Sequence, residues 1–484
     1  MPLTHLTDFS DRLSPMLVKE LRQGLRARSF TLQFLIFQTL LAFIILTAGS
    51  TADSENAGSI ASGVIFTMFI IAVMFIQPMR GITALSGEIT GNTIEMMVLT
   101  RLSAFRIVLG KWIAIVSQSA LILITIIPYL ILRYFYGGMV LLGEIVFLAL
   151  IFITSMALTA VMVGLSGNAT KFIRVIPILG FVFMLQAIPA LLFGRGGFNE
   201  FMSFCAMSDW QSRASILSYI TLISYYGWCA LSYGTSVIAP IAENHSTTRR
   251  IVSLVLTVTA AAVGLHPAVD HRMMPFIFGV ILAPAVITAL TEPSNLLPPI
   301  CRPFLKYGLL GRLASVFLLP GWPAGVFFTT LLTGISIAGS LLAAAAQGSR
   351  SIDPTIAIVG LAFTGTILLA ALLTANFSKQ ENKRFTNFVI FTLASVILTV
   401  LPAIFANIND QEKLLWFFVW NPPIFLTIVH DSGFDKTQML IAAIIVDSIY
   451  LGLLLITAAV AFRGYGRIFK EAQDEMTASL RLKP

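Results

Sequence analysis

The chain has 484 residues, of which 57% are hydrophobic and only 11% charged, with a mean hydropathy of +0.88 and a net charge of +8. That much apolar side chain exceeds what a soluble core absorbs, which excludes the soluble and disordered classes and predicts an all-α polytopic membrane protein. In such a chain a basic excess reports which side of the bilayer a loop lies on, so no nucleic-acid partner is expected.

The first 28 residues contain Asp8, Asp11 and Glu20 and are followed by no small-residue cleavage site, so no removable signal peptide is expected. Ser14 stands as N-cap and Pro15 at the first helical position of a predicted helix. Leu17, Val18, Leu21 and Leu25 fall on one side and Lys19, Arg22 and Arg26 on the other, as in a helix lying in the membrane interface with its basic face toward lipid phosphates. Residues 1–28 are thus read as an amphipathic elbow leading into the first span.

A helix needs about 20 apolar residues to cross a bilayer. Twelve segments qualify: 29–49, 60–79, 112–135, 140–165, 173–193, 216–240, 251–265, 274–290, 321–346, 355–376, 388–408 and 438–462. The run 414–429 is broken by Pro422 and Pro423 and is too short to cross, so it is expected to be re-entrant or interfacial. With the N-terminus inside, about 24 of the 31 Lys and Arg lie on the inner side and about 7 outside, which predicts that both termini are cytoplasmic.

Residues 86–112 form a polar island between the second and third spans. Gly91 and Asn92 offer a break, Thr93 an N-cap, and Ile94, Met97 and Val98 helical apolar spacing, with Glu88 and Glu95 on roughly one face. Two readings follow: a solvated connector, or a short surface helix that docks into a groove on a cytoplasmic partner.

At this point the sequence resembles the membrane subunits of type-2 ABC exporters. Their Pro-x-x-x-Lys-Glu elbow followed by Arg-x-Arg is matched by Pro15, Lys19, Glu20, Arg26 and Arg28. Their coupling-helix pattern is matched by Glu88, Thr93, Glu95, Leu99, Thr100, Leu102, Ser103, Gly110 and Lys111. The likeness covers residues 13 to about 240. Ser14 replaces the usual Asn, Asn92 a Gly, and Arg101 a Pro. The resemblance implies a permease in a bacterial inner membrane, with Glu88, Thr93, Glu95, Arg101 and Arg106 in the contact with a cytoplasmic ATPase present in two copies. It also implies an elbow built on Pro15, Lys19, Glu20, Arg22, Arg26 and Arg28.

No G-x-x-x-x-G-K-[ST] phosphate loop, H-E-x-x-H or nucleophile elbow occurs, so no catalytic residue, metal or cofactor is expected and ATP hydrolysis falls to another chain. Cys205, Cys229 and Cys301 have no metal or redox spacing. Asp447 is read as the one acid well inside a span. It is either a structural hydrogen bond or protonated acid within the bundle, or a place on the substrate pathway. Features recur at offsets of about 211 to 222 residues, pointing to two six-span halves, 29–250 and 251–484. On that reading one copy supplies both halves; otherwise 251–484 is an accessory bundle and the chain pairs as a homodimer. The alternatives are an ion-coupled secondary transporter and an integral-membrane lipid-handling enzyme, for either of which Asp447 alone is thin support.

Overall fold

The computed structural model describes residues 15–50, 57–91, 103–135, 140–168, 197–348, 353–408, 412–429 and 435–481. Every element among the described residues is helical, and ten helices there are long and apolar enough to cross a membrane. The protein is therefore an all-helical integral membrane protein. Of the twelve predicted spans, 173–193 lies outside the described residues. The segment 251–265 is found within a helix, Ser246–Gly264, whose first turn carries Thr247, Thr248, Arg249 and Arg250 and which is not among the ten.

Two compact units divide the chain, Met1–Ala239 and Pro240–Pro484. The division falls ten residues or so before the expected 250. Ala239 is already extended, and Arg249 and Arg250 belong with the second unit because both bind its Glu292.

The first unit opens on α1 (Pro15–Leu25) and α2 (Arg28–Ser50). Next comes α3 (Ala57–Ile70), which runs on through a π-helical stretch, Ile71–Ile76, and short turns to Thr90. A π stretch disturbs the regular carbonyl ladder, and here side chains use the carbonyls. Gln33 Nε2 donates to Ala72 O at 3.4 Å and Ser155 Oγ to Val73 O at 2.6 Å. Then follow α4 (Ala104–Tyr134), α5 (Leu141–Leu165), α6 (Gly197–Cys205) and α7 (Trp210–Ile238). The third span was expected from 112, but α4 begins at Ala104 because Ser103 is extended and its carbonyl accepts from Arg106 N and Ile107 N.

Lipid offers no hydrophobic drive between helices, so close packing must come from small residues. A Cβ on Gly164 of α5 would overlap the Ala230 carbonyl of α7, and one on Gly234 would stand 2.8 Å from Gly164 Cα. The two backbones touch there.

The second unit comprises α8 (Ser246–Gly264), α9 (Met274–Thr291), two short helices α10 (Pro298–Leu305) and α11 (Gly308–Leu318), α12 (Trp322–Ala346), α13 (Pro354–Phe377) and α14 (Arg384–Ile408). A 3₁₀ helix, Glu412–Phe418, then precedes α15 (Ile424–Ile428) and α16 (Lys436–Arg481). At 46 residues α16 is about 69 Å long, roughly twice the hydrocarbon thickness, so it continues well past the predicted 438–462. That extension carries α10 and α11: Arg302 pairs with Glu475 at 2.8 Å and Arg312 Nη2 donates to Gln473 Oε1 at 3.1 Å.

Residues 412–429 are too short to cross and are re-entrant. Their tip at Asn421 bonds Ser395 and Thr399, about three turns back from the end of α14, and the chain then returns to the start of α16. Residues 421–425 are buried, so the backbone at the tip is enclosed by protein, while Phe417 and Trp420 before it are exposed.

Candidate functional site

The elbow and the segment after α3 meet on α4. Pro15 opens α1, where a missing N–H costs nothing. Leu21 is buried and Lys19, Arg22 and Arg26 are exposed, matching the predicted faces. What the apolar face covers is α4: a Cβ on Gly24 would overlap Gln118 Nε2. One turn earlier on the same face is Glu20, and two turns before Gln118 is Lys111. Lys111 Nζ lies 3.0 Å from Glu20 Oε1 and 2.9 Å from Glu88 Oε1.

Glu88 reaches this point because the chain breaks at Leu85, whose N–H leaves the helix ladder for Ser166 Oγ at 3.0 Å. A new turn, Ser86–Thr90, then starts. Lys111 is 8% exposed and the two glutamates 18% and 19%, so the ammonium is shut in while each carboxylate keeps some water. Arg80 fastens the same junction, donating to Gln118 Oε1 and to Ser29 Oγ and lying 5.3 Å from the Phe30 ring centroid. Three elements far apart in sequence are thus tied at one end of the unit by charge. Nothing in helical spacing announces it, since Glu20 and Lys111 are separated by 91 positions.

Of the other residues assigned to the ATPase contact, Thr93, Glu95 and Arg101 lie outside the described residues. Arg106 is exposed in the first turn of α4, so it belongs to the long helix and not to a separate coupling helix. Arg28 is exposed at the start of α2.

The second unit has its own knot, at the end where α8 begins, α9 stops and α12 begins. Glu292, the residue after α9, takes Arg249 at 2.6 Å on one oxygen and Arg250 at 2.8 Å on the other, with the Ser246 hydroxyl and the Gly321 amide adding donors. Arg250 also donates to the carbonyls of Phe317, Leu319 and Gly321. Gly321 sits at φ +105°, and a Cβ there would strike Tyr465 Oη. Glycine is therefore required by both backbone and neighbour. Burial pushes the Glu292 carboxyl up, but Arg250 and Arg249 outweigh it and hold it below the usual carboxylate range.

A third pair was not foreseen, and it corrects the reading of Asp447 as the one intramembrane acid. Arg133, near the end of α4, and Glu144, near the start of α5, form a 3.0 Å pair with side chains 0% and 2% exposed. The available signal was their position, each a turn or two from the 135–140 connection of an antiparallel helix pair. Asp447 itself is 8% exposed in α16, with Thr364 Oγ1 donating to its Oδ2 at 2.8 Å. Among the described residues no group of His, Cys, Asp and Glu could hold a metal ion.

Searches against protein-family models, curated proteins and solved structures find no match to this chain.

Lys111→Met should leave Glu20 and Glu88 facing each other without the ammonium between them and lower stability by about 2 to 3 kcal/mol, whereas Glu20→Gln or Glu88→Gln should cost about 1. The combined Glu20→Gln, Lys111→Met, Glu88→Gln chain should recover most of that loss; thermal unfolding in detergent measures all four. Because the folded Glu292 carboxyl titrates below its unfolded value, its stabilisation is complete above about pH 5 and is lost as pH falls through the depressed value. Glu292→Gln should therefore be about 3 kcal/mol less stable at neutral pH and show a shallower acid loss in pH-dependent melting.

Proposed function

We propose that the chain is the membrane subunit of an ATP-driven exporter of the type-2 ABC class, with the Lys111 end of the first unit facing the cytoplasmic ATPase. The observation that carries this reading is the double salt bridge of Lys111. Glu20, Glu88 and Lys111 are three of the residues on which the exporter resemblance rests, and they converge on one point. A pull on the segment after Glu88 would be passed by charge to the elbow and to α4 together. ATP binding at the partner would in this way bias the packing of the unit.

In this proposal Glu88 holds the segment to the bundle, and Thr93, Glu95, Arg101 and Arg106 supply the outward contact. The ATPase is a separate chain, present in two copies, because this sequence has no phosphate loop. The Glu292 knot, which ties three elements of the second unit by charge as Lys111 ties three of the first, supports reading 251–484 as the second half, so that one copy serves two ATPases. The membrane is then a bacterial inner membrane, with the α1 end and the Glu292 end cytoplasmic, as the basic-residue asymmetry requires. The cargo stays open, since aliphatic and Phe-rich helices fit a lipid-facing surface and an amphiphile alike.

Arg106→Glu reverses an exposed charge outside the Lys111 knot. It should weaken ATPase co-purification by about 1 to 3 kcal/mol, roughly 5- to 150-fold, with melting behaviour unchanged. Unchanged ATPase recovery would remove this end from the contact.

A further inference from the structure

The re-entrant tip is gripped from two sides. On one, Asn421 Oδ1 accepts from Ser395 Oγ at 2.5 Å, while its Nδ2 donates to Ser395 O and Thr399 Oγ1, both at 2.8 Å. On the other, Tyr450 Oη donates to Trp420 O, and Pro422 packs beside Gly365 and Asp447. Asp447 lies 11 residues into α16 and Thr364 10 residues into α13, both about 15 Å from the helix start, near the middle of a hydrocarbon layer of about 30 Å.

The two oxygens of Asp447 have unequal surroundings. Oδ2 takes the Thr364 hydroxyl, and Oδ1 has no hydrogen-bond partner. Its neighbours explain why. A Cβ on Gly365 would overlap Oδ1 and stand 2.8 Å from the Pro422 ring, so the carboxyl lies against the glycine Cα, and the tip's Pro422, which has no N–H to give, lies against the same glycine. Among the described residues no lysine, arginine or histidine faces it from these helices. α13 carries no titratable side chain at all, α14 only Arg384 at its far end, the segment 412–429 only Glu412 and Lys413 at its start, and α16 only Tyr450 within reach. The nearest charges on these helices, Lys436 and Asp353, stand at the helix starts. An ionised Oδ1 would be buried at mid-depth with no counter-charge among the described residues.

We infer that Asp447 is a reversible proton-binding site that latches the re-entrant tip: with a proton on Oδ1 the tip is seated against α13 and α16, and without it the tip is released. Proton is the ligand class because the carboxyl is in contact with carbon on the side where a larger cation would need oxygen ligands. In the release step the Oδ1–H bond breaks, its electron pair stays on the carboxylate, and the proton passes to water admitted along the segment. The inference is independent of the exporter proposal, because nothing in it involves the first unit.

The test uses the full-length chain in lipid nanodiscs and dicyclohexylcarbodiimide, which adds to protonated carboxyls in apolar surroundings. Mass spectrometry should find the adduct on Asp447 at about pH 6, falling at least about tenfold by about pH 9, and absent from Asp447→Asn. Ile424→Cys reports the tip, since Ile424 is buried while the tip is seated and the three native cysteines are buried as well. At about pH 9 a water-soluble maleimide should label that cysteine at least about tenfold faster in the chain that keeps Asp447 than in the chain that also carries Asp447→Asn, since the amide cannot ionise. Absence of the adduct at about pH 6, equal labelling of the two chains, or protection of Asp447 by sodium at constant pH would each overturn the inference.

Discussion

Lys111 carries one positive charge between two carboxylates at the edge of an apolar bundle, and the first unit is organised around keeping that charge paired. A lone ammonium there would be expensive, and so would either glutamate without it. Because its partners come from α1 and from the turn after α3, satisfying the charge ties both to α4. Arg80 and Gln118 extend the same logic two turns further along α4, joining it to the start of α2. Apolar packing sets the rest, through Phe-rich contacts such as Phe66 with Phe147 and the small-residue seam of α5 and α7.

The second unit meets the same constraint with the signs exchanged. Glu292 stands between two arginines, where Lys111 stands between two acids. Glu88 lies in the turn after α3 and Glu292 directly after α9, about 200 residues apart in sequence. On the proposed reading of two diverged halves, the stretch 291–320 of the second unit would have no need of the Glu88, Thr93 and Glu95 pattern. In that stretch the glutamate turns inward, and two short helices ride on the α16 extension.

Hydropathy made the long helices legible, and local stereochemistry marked three boundaries well. Pro15 opens α1, Gly91 follows the last turn after α3, and Pro422-Pro423 forbids a crossing at 414–429. What could not be read were contacts between residues distant in sequence. The early start of α4 depends on an extended Ser103, the burial of Glu144 on Arg133 across a helix pair, and the Glu292 knot on Gly321 at positive φ. None of these leaves a periodic trace. The elbow was read from its faces as lying on lipid, whereas its apolar side is partly spent on α4, because hydrophobic periodicity says that a face is covered and not by what. Thr93, Glu95 and Arg101 lie outside the described residues, so that part of the site rests on sequence alone.

The exporter account stands or falls on whether this chain lives with an ATPase. Native mass spectrometry of the complex extracted from its own membranes in mild detergent measures that directly. The account predicts one 52.7 kDa chain with two copies of a subunit carrying a phosphate-loop motif. Two copies of the chain with two such subunits would contradict the fused-halves reading, and a chain found with no nucleotide-binding subunit would contradict the exporter reading itself.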